Sequence, residues 1–415
     1  MKRRIFTLIG MIFLFFSCNK NATVPVPSEG SGSIMKETYP LTDPSKLLME
    51  GIYHLTDGSS KFGEYMVVKW NRTSLSFACS DGNHFIMNVG HLDSVIVLQG
   101  YWRDGYSDAT GLCNMFISKT EGGTSIVTGT PGGKIILRGA YGSGSGLPDQ
   151  PLTMEYLRPF SQKTTNSKYY ILAHRAGGRT SDRLPVSENS IEMIRFTEKL
   201  GSTGIEVDVR LSSDGVPFLY HDPDINLRLT QKGPLAGAIS DYSWAVISAF
   251  IRLIHGEKIP ELEDALNFVV DSTQLHFVYL DMKESNQAMN AVIPVQQRVI
   301  QRAKEKGRDL IVVVGIPTTA VLNAFLSYPD HQNIPSLCEL TTDDVEAANS
   351  MVWAPRWTLG TQNDLVQEMH NEGRLAICWT IDTPGWIENF IDEGQFDGLL
   401  TNFPYVVAYY HYIRE

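Results

Sequence analysis

The sequence predicts an α/β chain of two units: a small all-β barrel or sandwich over residues 37–160, then a (β/α)8 barrel over residues 168–415. Three observations carry this expectation. Residues 37–160 alternate short β-rich runs with Gly, Asp and Asn turns and sustain no helical period. Residues 168–415 alternate near-continuous apolar runs with amphipathic stretches, as parallel strands covered on both faces by helices do. The second unit also has the roughly 250 residues usual for such a barrel.

Ahead of both units, Met1, Lys2, Arg3 and Arg4 precede an apolar run from Ile5 to Phe16, then Ser17 and Cys18. That run is too short to span a bilayer, which needs roughly 20 residues, and reads as a cleaved signal. The small residue before Cys18 matches a lipobox, with Phe15 where Leu is usual. Residues 1–18 are therefore expected to be a lipoprotein signal, with Cys18 lipidated. This would anchor the chain to the cell envelope, on its periplasmic or outer-surface side, without spanning the membrane. Residues 19–36, poor in bulky apolar side chains, read as a flexible tether. A net charge of −11 and the lack of a basic stripe argue against a nucleic-acid partner. Nothing in the sequence speaks to oligomeric state.

In the first unit, Tyr65–Trp70, Ser94–Leu98 and Lys134–Arg138 are strand candidates, with turns at Asp81-Gly82 and Asp104-Gly105. Tyr101, Trp102 and Tyr106 could form a sugar or lipid platform or belong to the core. Cys79 and Cys113 could pair or stay as buried thiols, and none of the cysteines has C-x-x-C spacing. Ser161–Lys168 is a polar linker.

The second unit offers eight strands, at 168–174, 204–209, 276–282, 309–315, 336–340, 351–355, 374–381 and 397–402. The run Val216–His221 follows strand two too closely for a parallel crossover, so it is expected to fold back as a hairpin and return His221 and Asp222 to the same rim. One helix should start at Asn189, with Glu192 completing a capping box, and stop at Gly201. Others should stop before Gly307, Gly373 and Gly394.

Active sites of such barrels lie at the C-terminal ends of the strands. There strand one carries His174 and Arg175, strand two Glu206 and Asp208, the hairpin His221, and strand three Asp281 and Lys283. The period-two spacing of Glu206 with Asp208, and of Asp281 with Lys283, puts each pair on one face. Their neighbours Ile205, Val207, Val209, Leu280 and Met282 are apolar, so the charges face the barrel interior. Charges there must be paired or bind metal. Three converging carboxylates suit Mg²⁺ or Ca²⁺; the alternative is an internal salt-bridge network with Arg175 and Lys283. Glu188 would orient His174 or Arg175, or stand exposed at a helix start. Trp379 would wall the pocket or pack in the core. His255, His276, His331 and His370 have no partner pattern and read as surface or core.

Ala173-His174-Arg175, Glu188-Asn189-Ser190, Gly204-Ile205-Glu206-Val207-Asp208-Val209, Asp214-Gly215, His221-Asp222, Ile259-Pro260-Glu261-Leu262-Glu263, Trp379-Thr380 and Asp397-Gly398-Leu399-Leu400-Thr401 together resemble the glycerophosphodiester phosphodiesterase family. The match covers essentially all of residues 168–410 and none of the β unit. The resemblance implies a TIM barrel that hydrolyses a small phosphodiester to glycerol 3-phosphate and an alcohol. It implies His174 and His221 as the acid and base, Glu206, Asp208 and Asp281 as ligands of a divalent metal, and Arg175 and Lys283 as a phosphate clamp. Every such residue lies in the second unit, leaving the first to tune access or attachment. Three positions depart from the family pattern: Ala176 intervenes before Gly177, Asp281 replaces Glu, and Asn402 replaces Asp. The first bears on substrate fit, the second on metal position and the third on local hydrogen bonding. A phospholipase-C-like lyase that releases a cyclic phosphate, and a non-catalytic binding lipoprotein, are the alternative functions.

Overall fold

The computed structural model describes residues 33–284 and 287–415. The expectations for the signal, Cys18 and most of the tether lie outside them. In the first unit, β1 (Gly51–Asp57), β2 (Tyr65–Asn71), β3 (Ser74–Ala78), β4 (Asn83–Leu92), β5 (Val95–Asp104), β6 (Thr110–Ile117), β7 (Ile136–Tyr141) and β8 (Gln150–Arg158) form a closed antiparallel barrel in sequence order, sealed by β1 against β8. Of the two expected architectures, the chain adopts the barrel. Closure leaves no edge strand open to pairing.

Strand alternation sorts the side chains of this barrel. Tyr53, Phe77, Phe85, Met87 and Trp102 fill its interior. Ile52, Val67, Ala78 and Ile86 point outward into the core of the second unit. The aromatic trio makes no platform, because successive residues Tyr101 and Trp102 face opposite sides of β5 and Tyr106 sits in the loop beyond it. A short helix, Gly123–Thr128, which the sequence did not announce, puts Ile126 into the same interior. Cys79 and Cys113 are buried free thiols.

In the second unit, β9 (Tyr170–Ala173), β10 (Gly204–Leu211), β14 (Phe277–Met282), β15 (Ile311–Ile316), β16 (Ser336–Cys338), β17 (Val352–Trp353), β18 (Leu375–Cys378) and β19 (Gly398–Thr401) form a parallel sheet closed by β9 pairing with both β10 and β19. These are the eight expected strands; most are shorter than expected, whereas β10 runs two residues further, to Leu211, and β15 is shifted to end at Ile316. β11 (Pro217–Leu219) pairs antiparallel with β10, as the short Leu211–Gly215 connection requires. β12 (Asp224–Ile225) and β13 (Gly237–Ala238) form a small ribbon in the excursion that follows.

Alternation sorts this sheet too. Ile205, Val207, Val209, Leu280 and Met282 pack against the surrounding helices. Tyr170, Phe277, Tyr279, Val313 and Ile377 pack the barrel interior. The helix after β9 differs from expectation by one residue. Ser190 is its N-cap, accepting from Met193 N, and Asn189 is left outside at φ 58° with its side chain engaged elsewhere. The helical run ends as expected at Gly201, in the left-handed region at φ 87°.

Candidate active site

The register of β10 with β14 sets Asp208 directly opposite Asp281, one inward step beyond Glu206 and Tyr279. Ligand oxygens of Glu206, Asp208 and Asp281 lie within 4.8 Å of one another. Glu206 and Asp208 are essentially inaccessible to solvent. Lys283 Nζ is 2.7 Å from Asp208 Oδ1 and donates to Asp281 Oδ2. Burial, with the Asp208 and Asp281 charges beside it, pushes the Glu206 carboxyl well up. Burial also pushes up Asp281, against the pull of Lys283. Asp208 is resisted by burial too, but Lys283, His221 and Arg175 bring it down to about 2.

Two buried carboxylates and a partly buried one thus face one ammonium, and among the described residues Glu206 Oε1 and Asp281 Oδ1 accept no hydrogen bond. Excess negative charge with orphaned hard oxygens fits a divalent cation of the Mg²⁺ or Ca²⁺ type. The salt-bridge alternative is present in part, as Lys283 pairs with two of the three acids. It does not satisfy the third.

Asn189 clamps this cluster. Its Nδ2 donates to Asp208 Oδ2 at 2.6 Å and its Oδ1 accepts from Asp208 N at 3.1 Å. The sequence suggests a helix cap at this position, a role that Ser190 takes instead. A cap and a carboxylate clamp call for the same short polar side chain, so composition could not separate them.

After β9 the chain turns sharply through Arg175 (φ 52°) and Ala176 (φ 68°), both left-handed without being glycine. Such conformers cost of order 1 kcal/mol each and persist where the surroundings impose them. Here the Arg175 N–H donates to Glu206 Oε2 at 2.7 Å, and its guanidinium donates to Glu188 Oε1 at 2.8 Å. Glu188 is 2% exposed, which corrects the exposed-acid option and selects Arg175 over His174 as its partner. Arg228, from the excursion after β11, also reaches Glu188, at 3.4 Å. No sequence signal marked Arg228.

Both histidines present a fixed Nδ1. His174 Nδ1 lies 2.8 Å from Asn402 Oδ1, and its Nε2 is 3.8 Å from Glu206 Oε2. Burial, then Arg175, lowers its pKa to about 4. His221 Nδ1 lies 2.6 Å from Asp222 Oδ1. Asp222 also accepts from Arg228 and from Asn226 Nδ2. Burial opposes its charge, but these partners and His221 hold the carboxyl below its usual range. The hairpin does return His221 and Asp222 to the rim.

Trp379, just past β18, donates its indole N–H to Ala354 O at 2.7 Å and packs partly buried against the interior cluster. Arg356 lies over its ring at 4.9 Å. Beyond β16, Glu339 accepts from Tyr279 Oη at 2.6 Å and is pushed up to about 8 by burial and then by Asp281. No sequence signal marks Glu339. His276, His331 and His370 bond to Asp309, Tyr328 and Asp397, away from this cluster.

The model of the glycerophosphoryl diester phosphodiesterase family matches residues 174–406. A probable glycerophosphodiester phosphodiesterase 2 of Mycobacterium tuberculosis is 28% identical over 250 residues, 56% of this chain and 86% of the relative. A glycerophosphodiester phosphodiesterase of Caldanaerobacter subterraneus is 24% identical over 247 residues, 57% of this chain and 95% of the relative. Among solved structures, an Oleispira antarctica phosphodiesterase in complex with the product sn-glycerol-3-phosphate aligns with a TM-score of 0.46 and 18% identity, covering 57% of this chain and 94% of that one. The matched segment takes in both histidines, all three inward carboxylates and more than half of the sequence, and the chain belongs to the glycerophosphoryl diester phosphodiesterase family.

Proposed function

We propose that the chain hydrolyses glycerophosphodiesters to glycerol 3-phosphate and an alcohol, with His174 and His221 as the proton-transfer pair. The observation that carries this reading is the pair of rim histidines, each held at Nδ1 by a neighbouring side chain, beside three inward carboxylates. Cleaving a phosphodiester needs a proton taken from the attacking oxygen and one given to the leaving oxygen, and histidine serves both near neutrality. Burial keeps His174 neutral at pH 7, so its Nε2 can accept. The attacking oxygen can be the substrate's own glycerol hydroxyl, giving a cyclic phosphate that water then opens. Arg175 and Lys283 would bind the non-bridging oxygens as cations already oriented by Glu188, Asp208 and Asp281. Glu206, Asp208 and Asp281 would hold Mg²⁺ or Ca²⁺, which supplies further neutralisation of phosphate charge. Half-buried Trp379 would border the substrate.

Protein lacking residues 1–18, assayed on a panel of glycerophosphodiesters with Mg²⁺, Ca²⁺ or EDTA, should release linear glycerol 3-phosphate and lose turnover in EDTA. A cyclic phosphate as end product would instead establish a lyase, and no turnover on any member would leave a binding protein. We further propose that Cys18 is lipidated and holds the enzyme at the cell envelope. The signal-like run before it supports this, and Cys18→Ser should release the protein from membranes.

A further inference from the structure

The loop from β5 to β6 of the N-terminal barrel leans onto the rim of the C-terminal one. Gly105 is so close to Tyr405 that a Cβ there would stand 1.7 Å from its hydroxyl. Arg103 donates to Asp182 O at 2.8 Å, and Arg183 pairs with Asp108. Tyr106 packs on Phe403 with ring centroids 4.4 Å apart and donates its hydroxyl to Asp382 O at 2.6 Å. The Asp382 carboxylate in turn accepts from Thr401 Oγ1 at 3.2 Å, Asn402 N at 2.9 Å and Asn402 Nδ2 at 2.7 Å. Asn402 Oδ1 faces His174 Nδ1.

The donor and acceptor inventory makes this chain directional. A carboxylate only accepts, so the amide edge turned to Asp382 is the NH₂ and the edge turned to His174 is the oxygen. An amide oxygen also only accepts, so Nδ1 carries the hydrogen. A neutral imidazole has one N–H, which leaves Nε2 bare on the side of Glu206. With the amide reversed, Nδ1 would have to be bare and Nε2 would be blocked by its own hydrogen.

We propose that Tyr106, Asp382 and Asn402 are positioning residues that select the Nδ1–H tautomer of His174, which makes the N-terminal barrel a working part of the active site. The consequence for catalysis rests on the proton-transfer reading of His174; the tautomer itself does not. Asp382 sets the sense of the amide, Asn402 transmits it, and Tyr106 ties the Asp382 backbone to the neighbouring barrel.

The test uses full-length protein labelled with ¹⁵N-histidine, with saturating Mg²⁺, at a pH where the ring is neutral. His174, assigned by its loss in His174→Gln, should give the Nδ1–H pattern of ¹⁵N shifts. In Asp382→Asn the Asn402 backbone N–H holds the new amide's oxygen at the Oδ1 position, so its NH₂ meets Asn402 and turns that amide round; Nε2–H should then appear and kcat should fall with KM little changed. A wrong tautomer costs roughly 10² to 10⁴ in kcat. The exchanged pair, Asp382→Asn with Asn402→Asp, restores a donor facing an acceptor and should recover both the tautomer and most of the turnover, as a merely structural defect would not. Tyr106→Phe keeps the ring on Phe403 and removes one hydrogen bond, so kcat should drop about fivefold. A parent ring in the Nε2–H form, or an exchanged pair no better than the single change, overturns the proposal. A Tyr106→Phe enzyme unchanged in both tautomer and kcat overturns the part assigned to the N-terminal barrel. Retained turnover in His174→Gln would instead overturn the proton-transfer reading, whatever the tautomer.

Discussion

Asn189 allows the site's rigidity to be measured apart from its chemistry. The residue is 1% exposed, sits at φ 58°, and makes two side-chain hydrogen bonds to Asp208. Asn189→Gly removes both bonds while keeping a backbone that accepts the left-handed conformation. One lost bond ends on a buried carboxylate, worth about 1.5–3 kcal/mol, and the other leaves a buried Asp208 N–H unpaired, at about 1–3 kcal/mol, so roughly 3–5 kcal/mol of local stability should go. Asn189→Ala loses the same bonds and adds about 1 kcal/mol for a Cβ in the left-handed region. Native-state hydrogen exchange at the amides of β10 reads this directly, and exchange should accelerate by about 10²- to 10⁴-fold in the Gly variant and further in the Ala variant. Protection in the Ala variant equal to or above that in the Gly variant would refute the backbone part. Unchanged protection in both would refute the clamp.

The remaining predictions concern chemistry and pH. His174→Ala or His221→Ala should each lower kcat by roughly 10² to 10⁴ while Mg²⁺ affinity, measured by calorimetry, stays near that of the parent. Asp281→Asn should lose metal affinity and turnover while Asp281→Glu keeps activity or changes metal preference; an Asn variant that binds and turns over like the parent removes Asp281 from the site. Burial, aided by Arg103 and Arg414 respectively, lowers the pKa of His84 to about 3 and of His411 to about 4. Below pH 6.5 the unfolded chain takes up protons that the folded chain refuses, so stability present above that pH falls toward pH 4, by roughly 2 kcal/mol per histidine at pH 5. His84→Phe, which can keep the stack on Tyr405, should flatten this loss between pH 7 and pH 5 in urea titrations, and an unaltered slope would count against it.

The fold of the C-terminal barrel was legible because parallel strands buried on both faces leave apolar runs that loops and surface helices do not. Even the departure at Val216–His221 could be read, since five residues cannot make a parallel crossover. The N-terminal unit was legible only as strands and turns. Barrel and sandwich share the same alternation, and what distinguishes them is closure of β1 on β8, a pairing between segments about a hundred residues apart. Nor did the alternation show that Ile52, Val67, Ala78 and Ile86 face a second core rather than solvent.

Within the site, legibility followed charge. Glu206, Asp208 and Asp281 stood out because an ionised group at an inward strand position is an energetic anomaly that demands a partner. Asn189 and Asn402 are no anomaly: an amide beside a turn is ordinary, and its sequence neighbours do not reveal which edge it offers. Yet these two amides hold Asp208 in place and meet His174 at Nδ1. The difference is physical. A charge announces itself through the cost of burying it, whereas an amide, neutral and both donor and acceptor, takes its sense from whatever group stands on its far side. For Asn402 that group is Asp382, which lies twenty residues earlier in the chain and is approached from the other barrel by Tyr106. The direction of the amide is therefore a property of the assembled rim, and it could be read only once both barrels were in place.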